Sequence, residues 1–143
     1  MNVSTILKYK GSKVLTRGPE DPLSEIVRVL NEYKIGSVVI VKEENRVCGI
    51  VSERDVVTAI ANNGGAVLDE PVSASMTKRV FTCTREDTLE QLMAEMTAHR
   101  FRHLPVVENG VLVGLVSIGD VVKQRINEAE LEAASMREYI ATG

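Results

Sequence analysis

The sequence contains one internal repeat. The segment VLTRGPEDPLSEIVRVL from Val14 aligns with VFTCTREDTLEQLMAEM from Val80 at an offset of 66 residues. One residue is then lost in a turn, and GIVSERDVV from Gly49 falls on GLVSIGDVV from Gly114 with six of nine positions identical. Such self-similarity indicates two copies of one supersecondary unit, each too small to bury a stable core alone. We therefore expect the two copies to dock in one compact module.

Each copy has the same predicted secondary structure. Apolar residues recur at helical spacing in its opening segment. They are Leu23, Ile26, Val27 and Leu30 in the first copy and Leu89, Leu92, Met93 and Met96 in the second. Asp21 and Asp87 are predicted to cap these helices. Two short apolar strands and a second helix, beginning near Glu53 or Ile118, complete each copy, so the predicted fold is mixed α/β with two β-α-β-β-α repeats.

The predicted organisation has three parts. Residues 1–66 form the first repeat with its N-terminal segment, 67–126 the second repeat, and 127–143 a C-terminal amphipathic helix. Docking of two similar halves creates pseudo-twofold symmetry and two related clefts, where small ligands usually bind. The last helix carries an apolar stripe that we expect to pack on its own module or to form a dimer contact. The stripe consists of Ile126, Ala129, Ala133, Met136 and Ile140.

Charge and composition exclude several classes of function. Lys and Arg total 17 against 20 Asp and Glu, so a net charge of -3 argues against binding along a nucleic-acid backbone. Aromatic residues make up only 3%, which argues against stacking of bases on aromatic side chains. No segment reaches the roughly 20 apolar residues of a membrane span, so we expect a cytoplasmic protein that binds no membrane. Cys48 and Cys83 are expected to be reduced and half-buried.

The duplicated ends GIVSERD and GLVSIGD, together with the strand HLPVV from His103, resemble a pair of cystathionine-beta-synthase (CBS) domains, also called a Bateman module. The resemblance covers roughly Ile6 to Ile126. The second copy and the tail ending in REYIATG are also similar to small stand-alone CBS-pair proteins of bacteria and plant organelles.

That resemblance implies a regulatory module rather than an enzyme, with an adenosine-containing ligand in its clefts. AMP is the favoured ligand, and ADP, ATP, NAD(H) and S-adenosylmethionine are the others. It also implies that the signal passes to an effector protein, here unidentified, and that modules pair as homodimers.

Ser52 with Asp55, and Ser117 with Asp120, are the principal candidates for ligand binding. A serine and an acidic residue three positions apart at a helix start form a capping box without any ligand. The resemblance adds that each aspartate accepts hydrogen bonds from the vicinal ribose hydroxyls, as a carboxylate does in dinucleotide-binding folds. The two roles are compatible, because the serine can cap the helix while the aspartate faces the cleft.

Further candidates depend on the resemblance alone. Thr16 and Thr82, before the first helix of each copy, would help to hold the sugar or base, and the alternative is an ordinary strand residue. The starts of the central strands would contact adenine through backbone groups and apolar side chains. These positions are Gly36, Ser37 and Val38 in the first copy and Arg102, His103, Leu104 and Pro105 in the second.

Basic residues distinguish the two copies. Arg54 in the first motif corresponds to Gly119 in the second, whereas Arg102 and His103 have uncharged counterparts in the first copy. Because arginine is a good bidentate partner for phosphate, we expect unequal clefts with Arg54, Arg102 and His103 as phosphate contacts. The alternative for each of them is a solvated surface charge.

Other chemistry is not indicated by the sequence. Lys10-Gly11-Ser12-Lys13 lacks the spacing of a phosphate-binding loop and is expected to be a flexible basic turn. His99 and His103 have no Cys or carboxylate at metal-ligand spacing, so no metal site is predicted, and no catalytic set is recognisable.

Three functional hypotheses follow. The first is an adenine-nucleotide sensor that regulates a partner. The second is a dimerisation scaffold with vestigial clefts. The third is a regulator of a thioredoxin-like redox partner.

Overall fold

The computed structural model describes residues 1–142 and combines five α-helices with five β-strands. The helices are α1 (Val3–Lys10), α2 (Leu23–Tyr33), α3 (Glu53–Asn63), α4 (Leu89–His99) and α5 (Ile118–Thr142). The strands are β1 (Thr16–Arg17), β2 (Ser37–Lys42), β3 (Arg46–Ser52), β4 (His103–Glu108) and β5 (Val111–Ser117). Gly143 lies outside the described residues.

The predicted mixed α/β fold with two related repeats is confirmed. The first repeat runs β1-α2-β2-β3-α3, and the second repeats this order with α4-β4-β5-α5. Its first strand is reduced to one parallel bridge between Cys83 and Val106. This bridge corresponds, at an offset of 66, to the pairing of Arg17 with Ile40 in the first repeat.

The pseudo-twofold symmetry extends to details of the backbone. Both hairpins, β2–β3 and β4–β5, are antiparallel and carry a register shift, after Ile40 in the first and after Val106 in the second. Helix α2 ends at Lys34 with φ 52°, and α4 ends at Arg100 with φ 56°, both in the left-handed region. Each pair is 66 residues apart, so the sequence repeat is also a repeat of conformation.

The five strands form one sheet in the order β1-β2-β3-β5-β4. The two hairpins meet near their turns, where Arg46 pairs with Val111. Arg46 Nη1 donates to the carbonyl oxygen of Asn109 at 3.1 Å, and Asn45 Nδ2 donates to that of Leu112 at 3.0 Å. These contacts fix the two repeats to each other at one end of the module.

Each repeat has its own hydrophobic core. The first contains Leu23, Ile26, Val38, Ile40 and Val51, among others, and the second contains Leu89, Leu92, Leu104, Val106 and Val116. Helix α1 adds Val3, Ile6 and Leu7 to the second core, although it precedes the first repeat in sequence. Burial of each such side chain contributes on the order of 1.5–3 kcal/mol, which ties α1 to the second repeat.

The segment that precedes each repeat in sequence packs on the other repeat. Leu7 of α1 covers Gly114 of β5, where an added Cβ would lie 2.7 Å from Leu7 Cδ2. Gly49 of β3, the equivalent residue 65 positions earlier, is covered in the same way by Met76 from the segment before the second repeat. The glycines are therefore sites of close approach, and each repeat is covered by a segment that belongs to the other in sequence.

The predicted caps Asp21 and Asp87 are wrong. Helix α2 follows Pro22 without a side-chain cap, and Thr88 caps α4. Each aspartate instead accepts a hydrogen bond from the backbone N–H three residues earlier, at 2.8 Å and 2.9 Å. These bonds close the turn that leads into each helix.

The last helix is longer and more exposed than its sequence suggests. Helix α5 runs without a break from Ile118 to Thr142, so the second helix of the repeat and the predicted tail helix are one element. Met136 is 61% exposed and Ile140 is 74% exposed. The expectation that the stripe packs on its own module is therefore wrong, and a dimer contact remains the other alternative. None of the helices formed by residues 1–142 combines the length and apolar character of a membrane span.

Candidate functional site

A cleft of about 650 Å³ opens between the two repeats. Its walls come from the starts of β2 and α3, the segment that leads into the second repeat, and the end of α4 with the start of β4. This volume falls within the roughly 300–1,000 Å³ of small-molecule pockets. The lining residues are Gly36, Ser37, Ile50, Ser52, Glu53, Arg54, Asp55, Thr77, Arg79, Val80, Phe81, Arg100, Phe101, Arg102, His103 and Pro105.

Asp55 brings a carboxylate to this cleft at the start of α3. Ser52 Oγ accepts a hydrogen bond from the backbone N–H of Asp55 at 3.2 Å, and Asp55 Oδ2 accepts one from the N–H of Ser52 at 2.9 Å, which completes a capping box. Thr77 Oγ1 lies 3.3 Å from Asp55 Oδ1. Within residues 1–142 the donors to this carboxylate are thus neutral groups, and Oδ1 retains capacity to accept hydrogen bonds from a ligand.

Four arginines line the same cleft. Arg54 belongs to α3, Arg79 to the segment between the repeats, and Arg100 and Arg102 to the approach to β4. The arginine ion pairs within residues 1–142 involve other positions, namely Arg17, Arg28, Arg46, Arg85 and Arg125. The cleft therefore gathers guanidinium groups that have no acidic partner in the described chain, as expected of a site for an anionic ligand.

Ser37 provides an independent indication of a ligand. Its side chain is 3% exposed and lines the cleft, yet its hydroxyl oxygen has no hydrogen-bond partner among the described residues. Buried polar groups are nearly always paired, so an unpaired hydroxyl beside a cleft is suited to a partner that enters from outside.

His103 of the second repeat lies beside Gly36 of the first repeat. A Cβ at Gly36 would lie 3.2 Å from His103 Cε1, so only a glycine permits this approach without movement. Burial lowers the pKa of His103, repulsion from Lys10 lowers it further, and attraction to Asp120 opposes both. The imidazole is therefore neutral at pH 7 and can donate or accept a hydrogen bond.

Two aromatic side chains lie beside the cleft despite the low aromatic content of the chain. Phe81 and Phe101, the two phenylalanines of the chain, both line it. Phe81 stacks on His99 with ring centroids 4.3 Å apart and on Phe101 at 5.3 Å. The low aromatic content thus concealed a local cluster that can contact a planar base.

Asp120 lies outside this cleft and has a charged neighbour. It forms a capping box with Ser117, like its counterpart in the first repeat. Burial raises its pKa, but hydrogen bonds from Lys10 and Ser117 outweigh burial and hold the pKa of Asp120 below its usual range. Lys10 Nζ lies 2.6 Å from Asp120 Oδ2, so the prediction of a flexible turn at this lysine is wrong.

The structure places eight of the fourteen candidate residues in the wall of one cleft. They are Gly36, Ser37, Ser52, Arg54, Asp55, Arg102, His103 and Pro105. Val38 and Leu104 are buried in the two cores, so their side chains are unavailable to a ligand there. Thr16 pairs with Val39 in the sheet, and Thr82 is exposed outside the cleft.

Sequence reasoning missed the segment that enters the second repeat. Thr77, Arg79 and Phe81 line the cleft, but the segment is irregular and carries no periodic pattern. Its position between the two copies of the repeat was the available signal.

The thiols of Cys48 and Cys83 do not have the lowered pKa of a reactive cysteine. Burial raises the pKa of Cys83 to about 12 and also raises the pKa of Cys48. Both are free cysteines, and Cys83 is buried rather than half-buried as expected. No group of three or more His, Cys, Asp or Glu side chains suited to a metal ion occurs within residues 1–142.

Comparisons identify relatives along the whole module. The CBS domain model matches residues 13–62 and 72–127. A CBS-domain-containing protein of Agrobacterium tumefaciens, solved by crystallography, is 48% identical with a TM-score of 0.82, covering 87% of this chain and 92% of that one. An uncharacterized 17.7 kDa protein of Acidianus ambivalens is 36% identical over 130 residues, 90% of this chain and 77% of that protein. The mitochondrial CBS domain-containing protein CBSX3 of Arabidopsis thaliana is 31% identical over 149 residues, 99% and 72% respectively.

Two more distant solved structures share the fold. One is a CBS domain pair in complex with 5′-methylthioadenosine and S-adenosyl-L-methionine, at 22% identity and a TM-score of 0.78, covering 90% of this chain and 98% of that one. The other is CBSX2 in complex with AMP, at 21% identity and a TM-score of 0.73, covering 81% and 90%. Because the CBS domain model matches twice and two relatives, matched over more than two thirds of their length, exceed 30% identity, the chain belongs to the CBS domain family, as a tandem pair of CBS domains.

Proposed function

We propose that the chain is a regulatory module that binds an adenosine-containing ligand in the cleft between its repeats, with AMP as the first candidate. The observation that carries this proposal is the meeting, in one cleft, of the Asp55 carboxylate with four arginines that have no acidic partner in the described chain. A carboxylate accepts hydrogen bonds from ribose hydroxyls, and guanidinium groups donate to phosphate. The adenosine ligands of the two distant solved relatives support this chemistry.

The remaining cleft residues are suited to a base. Phe81 and Phe101 offer aromatic surface, and the buried Ser37 hydroxyl offers an unused hydrogen-bonding group. Stacking of a base on an aromatic ring contributes roughly 1–3 kcal/mol. Sugar, phosphate and base would each have a separate group of partners.

The charge of the cleft favours phosphorylated ligands. Four arginines face the two acidic residues Glu53 and Asp55, which leaves 4 − 2 = 2 positive charges with His103 neutral. AMP, ADP, ATP and NAD(H) are anions that complement this charge, whereas S-adenosylmethionine carries a cationic sulfonium. Among the candidates we therefore rank S-adenosylmethionine last.

We propose further that the module acts without catalysis, in the cytoplasm, through an effector protein or a change of oligomeric state. Apolar side chains on the outer faces of α3 and α5 support association of two modules. They are Val57, Ile60, Ile118, Val122 and Ile126, all exposed in the single chain. The same faces favour the second candidate function, a dimerisation scaffold, and a thioredoxin-like redox partner stays a prediction for the effector.

Isothermal titration tests the site directly. The wild-type protein should bind AMP or another adenine nucleotide with micromolar affinity, and Asp55→Ala should weaken binding tenfold or more. The lost hydrogen bonds to a charged group are worth about 1.5–3 kcal/mol, and tenfold corresponds to about 1.4 kcal/mol. Asp69→Ala, an exposed aspartate outside the cleft, is the matched control and should bind like wild type.

A panel of AMP, ADP, ATP, NAD, NADH and S-adenosylmethionine in thermal-shift measurements would rank the ligands. A ligand at 100 times its dissociation constant should add about 2.7 kcal/mol of stability. A folded protein that binds none of them would contradict the sensor function and favour the scaffold.

A further inference from the structure

Asp55 and Asp120, at the starts of α3 and α5, accept hydrogen bonds from different residue types. In each case the donor belongs to the segment that precedes the other repeat. In the first repeat, Thr77 pairs with the backbone of Ile50 and places its hydroxyl 3.3 Å from Asp55 Oδ1. The backbone N–H of Thr77 donates to the carbonyl oxygen of Ile50 at 2.9 Å. A neutral residue from the segment before the second repeat therefore contacts both the strand and the carboxylate of the first.

In the second repeat a lysine makes the corresponding pair of contacts. Lys10 Nζ donates to the carbonyl oxygen of Leu115 at 2.9 Å and to Asp120 Oδ2 at 2.6 Å. Leu115 and Asp120 are each 65 residues after their counterparts in the first repeat. The ammonium group thus bonds the same strand carbonyl and the same carboxylate that Thr77 contacts in the first repeat.

We propose that the ammonium group of Lys10 takes the place of a ligand at the Asp120 carboxylate. A single chain therefore binds one nucleotide, at Asp55. This inference rests on the proposed function of the Asp55 cleft. The two repeats would then differ in nucleotide binding because a lysine, Lys10, contacts the aspartate of the second repeat, whereas a threonine, Thr77, contacts that of the first.

Helix α1 holds Lys10 firmly in this place. Its buried residues Val3, Ile6 and Leu7 belong to the core of the second repeat, and the backbone N–H of Val3 donates to the carbonyl oxygen of Asp87 at 2.9 Å. Lys10 is the last residue of the helix, and Gly11 ends it with φ 94°. The lysine backbone is therefore fixed by packing rather than by the ion pair alone, which is a partly exposed pair of modest strength.

The chemistry of the contact disfavours a ribose at Asp120. Asp120 Oδ2 already accepts hydrogen bonds from Lys10 and from the backbone N–H of Ser117. A ribose hydroxyl that used this carboxylate would compete with an ammonium ion that already pairs with its charge. At Asp55 it would meet only neutral donors, which are the hydroxyl groups of Ser52 and Thr77 and the backbone N–H of Ser52, so nucleotide binding is favoured there.

Titration with AMP and, in parallel, with ADP measures the number of sites per chain. The wild-type protein should bind one nucleotide per chain, and Lys10→Ala should bind two, with the affinity of the second site raised at least tenfold. Lys10→Thr, which introduces the residue type of position 77, should behave in the same way. Lys8→Ala removes an exposed charge from the same helix turn and should retain one site.

A double variant identifies the residue responsible for the gained site. Asp120→Asn in the Lys10→Ala background should return the stoichiometry to one. Two equal sites in the wild type, or an unchanged stoichiometry in a folded Lys10→Ala protein, would overturn the role of Lys10 while leaving the Asp55 cleft intact. Loss of binding in a folded Lys10→Ala protein would overturn both assignments, because the wild-type site would then depend on Lys10. Absence of nucleotide binding to every protein would instead overturn the proposed function and, with it, this assignment.

Discussion

Single residues in this module serve both stability and recognition. The hydroxyl of Ser52 caps α3, a contribution typically worth about 1 kcal/mol, and the same box directs the Asp55 carboxylate toward the cleft. Since Ser117 and Asp120 form the same box, the pattern in the sequence identifies helix caps reliably but does not distinguish an open carboxylate from one paired with a cation. That distinction depends on Lys10, which is 110 residues from Asp120.

The ion pair of Asp120 with Lys10 should make the free energy of unfolding depend on pH. Hydrogen bonds from Lys10 and Ser117 overcome burial and hold the pKa of Asp120 below its reference value of 3.8. A carboxyl group with a lowered pKa in the folded state stabilises the fold above its unfolded pKa, and this contribution is lost as the pH falls through the folded pKa. We expect the free energy of unfolding of wild type to exceed that of Asp120→Asn at pH 7.

Urea denaturation from pH 7 to pH 3 would show the difference between the two proteins shrinking only below about pH 3.8. Other carboxylates titrate equally in both and cancel, including Glu25, whose pKa is lowered to about 2 chiefly by its hydrogen bond with Arg28. A constant difference at all pH values would show that the carboxylate charge does not contribute to folding.

Among the elements, the four helices of the repeats and both hairpins follow from apolar periodicity and from the duplication itself. Helix α1 was not predictable in this way, because its apolar residues Val3, Ile6 and Leu7 occupy a short segment without a counterpart at an offset of 66. Similarly, the pattern of short, largely apolar strands does not distinguish side chains that face the core from those that face a ligand. Val38 and Leu104 face the core. Both limits arise because tertiary contacts, not local pattern, decide these positions.

The attachment of α1 can be tested by removing one side chain. Leu7→Ala should lower the free energy of unfolding by about 2–5 kcal/mol, because it creates a cavity over Gly114 in the second core. Denaturant unfolding followed by circular dichroism measures the effect. Lys8→Ala, at the exposed neighbouring position, should change stability by less than about 0.5 kcal/mol. Equal effects of the two substitutions would show that α1 is not part of the core.

At the scale of the whole molecule, the exposed apolar faces of α3 and α5 favour association with a second chain. A twofold dimer buries the same patch on both chains and leaves no open end. We expect sedimentation at micromolar concentration to give about twice the chain mass of 15.7 kDa. Met136→Glu should lower that mass without unfolding the chain, since Met136 is exposed in the single chain. Ser135→Glu adds the same charge to a neighbouring exposed position of α5 and serves as the control. A wild-type monomer at every concentration would contradict the dimer.

The exchange of α1 onto the second repeat also affects how the protein forms during synthesis. Residues 3–10 leave the ribosome before both repeats, yet the strands and helix that bury them extend to Val121, so they stay exposed until the second repeat has been made. Domains usually fold from the N-terminal end as they emerge, at about 5–20 residues per second. Here apolar residues synthesised before either repeat are buried only when the second repeat forms. For several seconds of translation they form an exposed hydrophobic segment of the kind that chaperones bind.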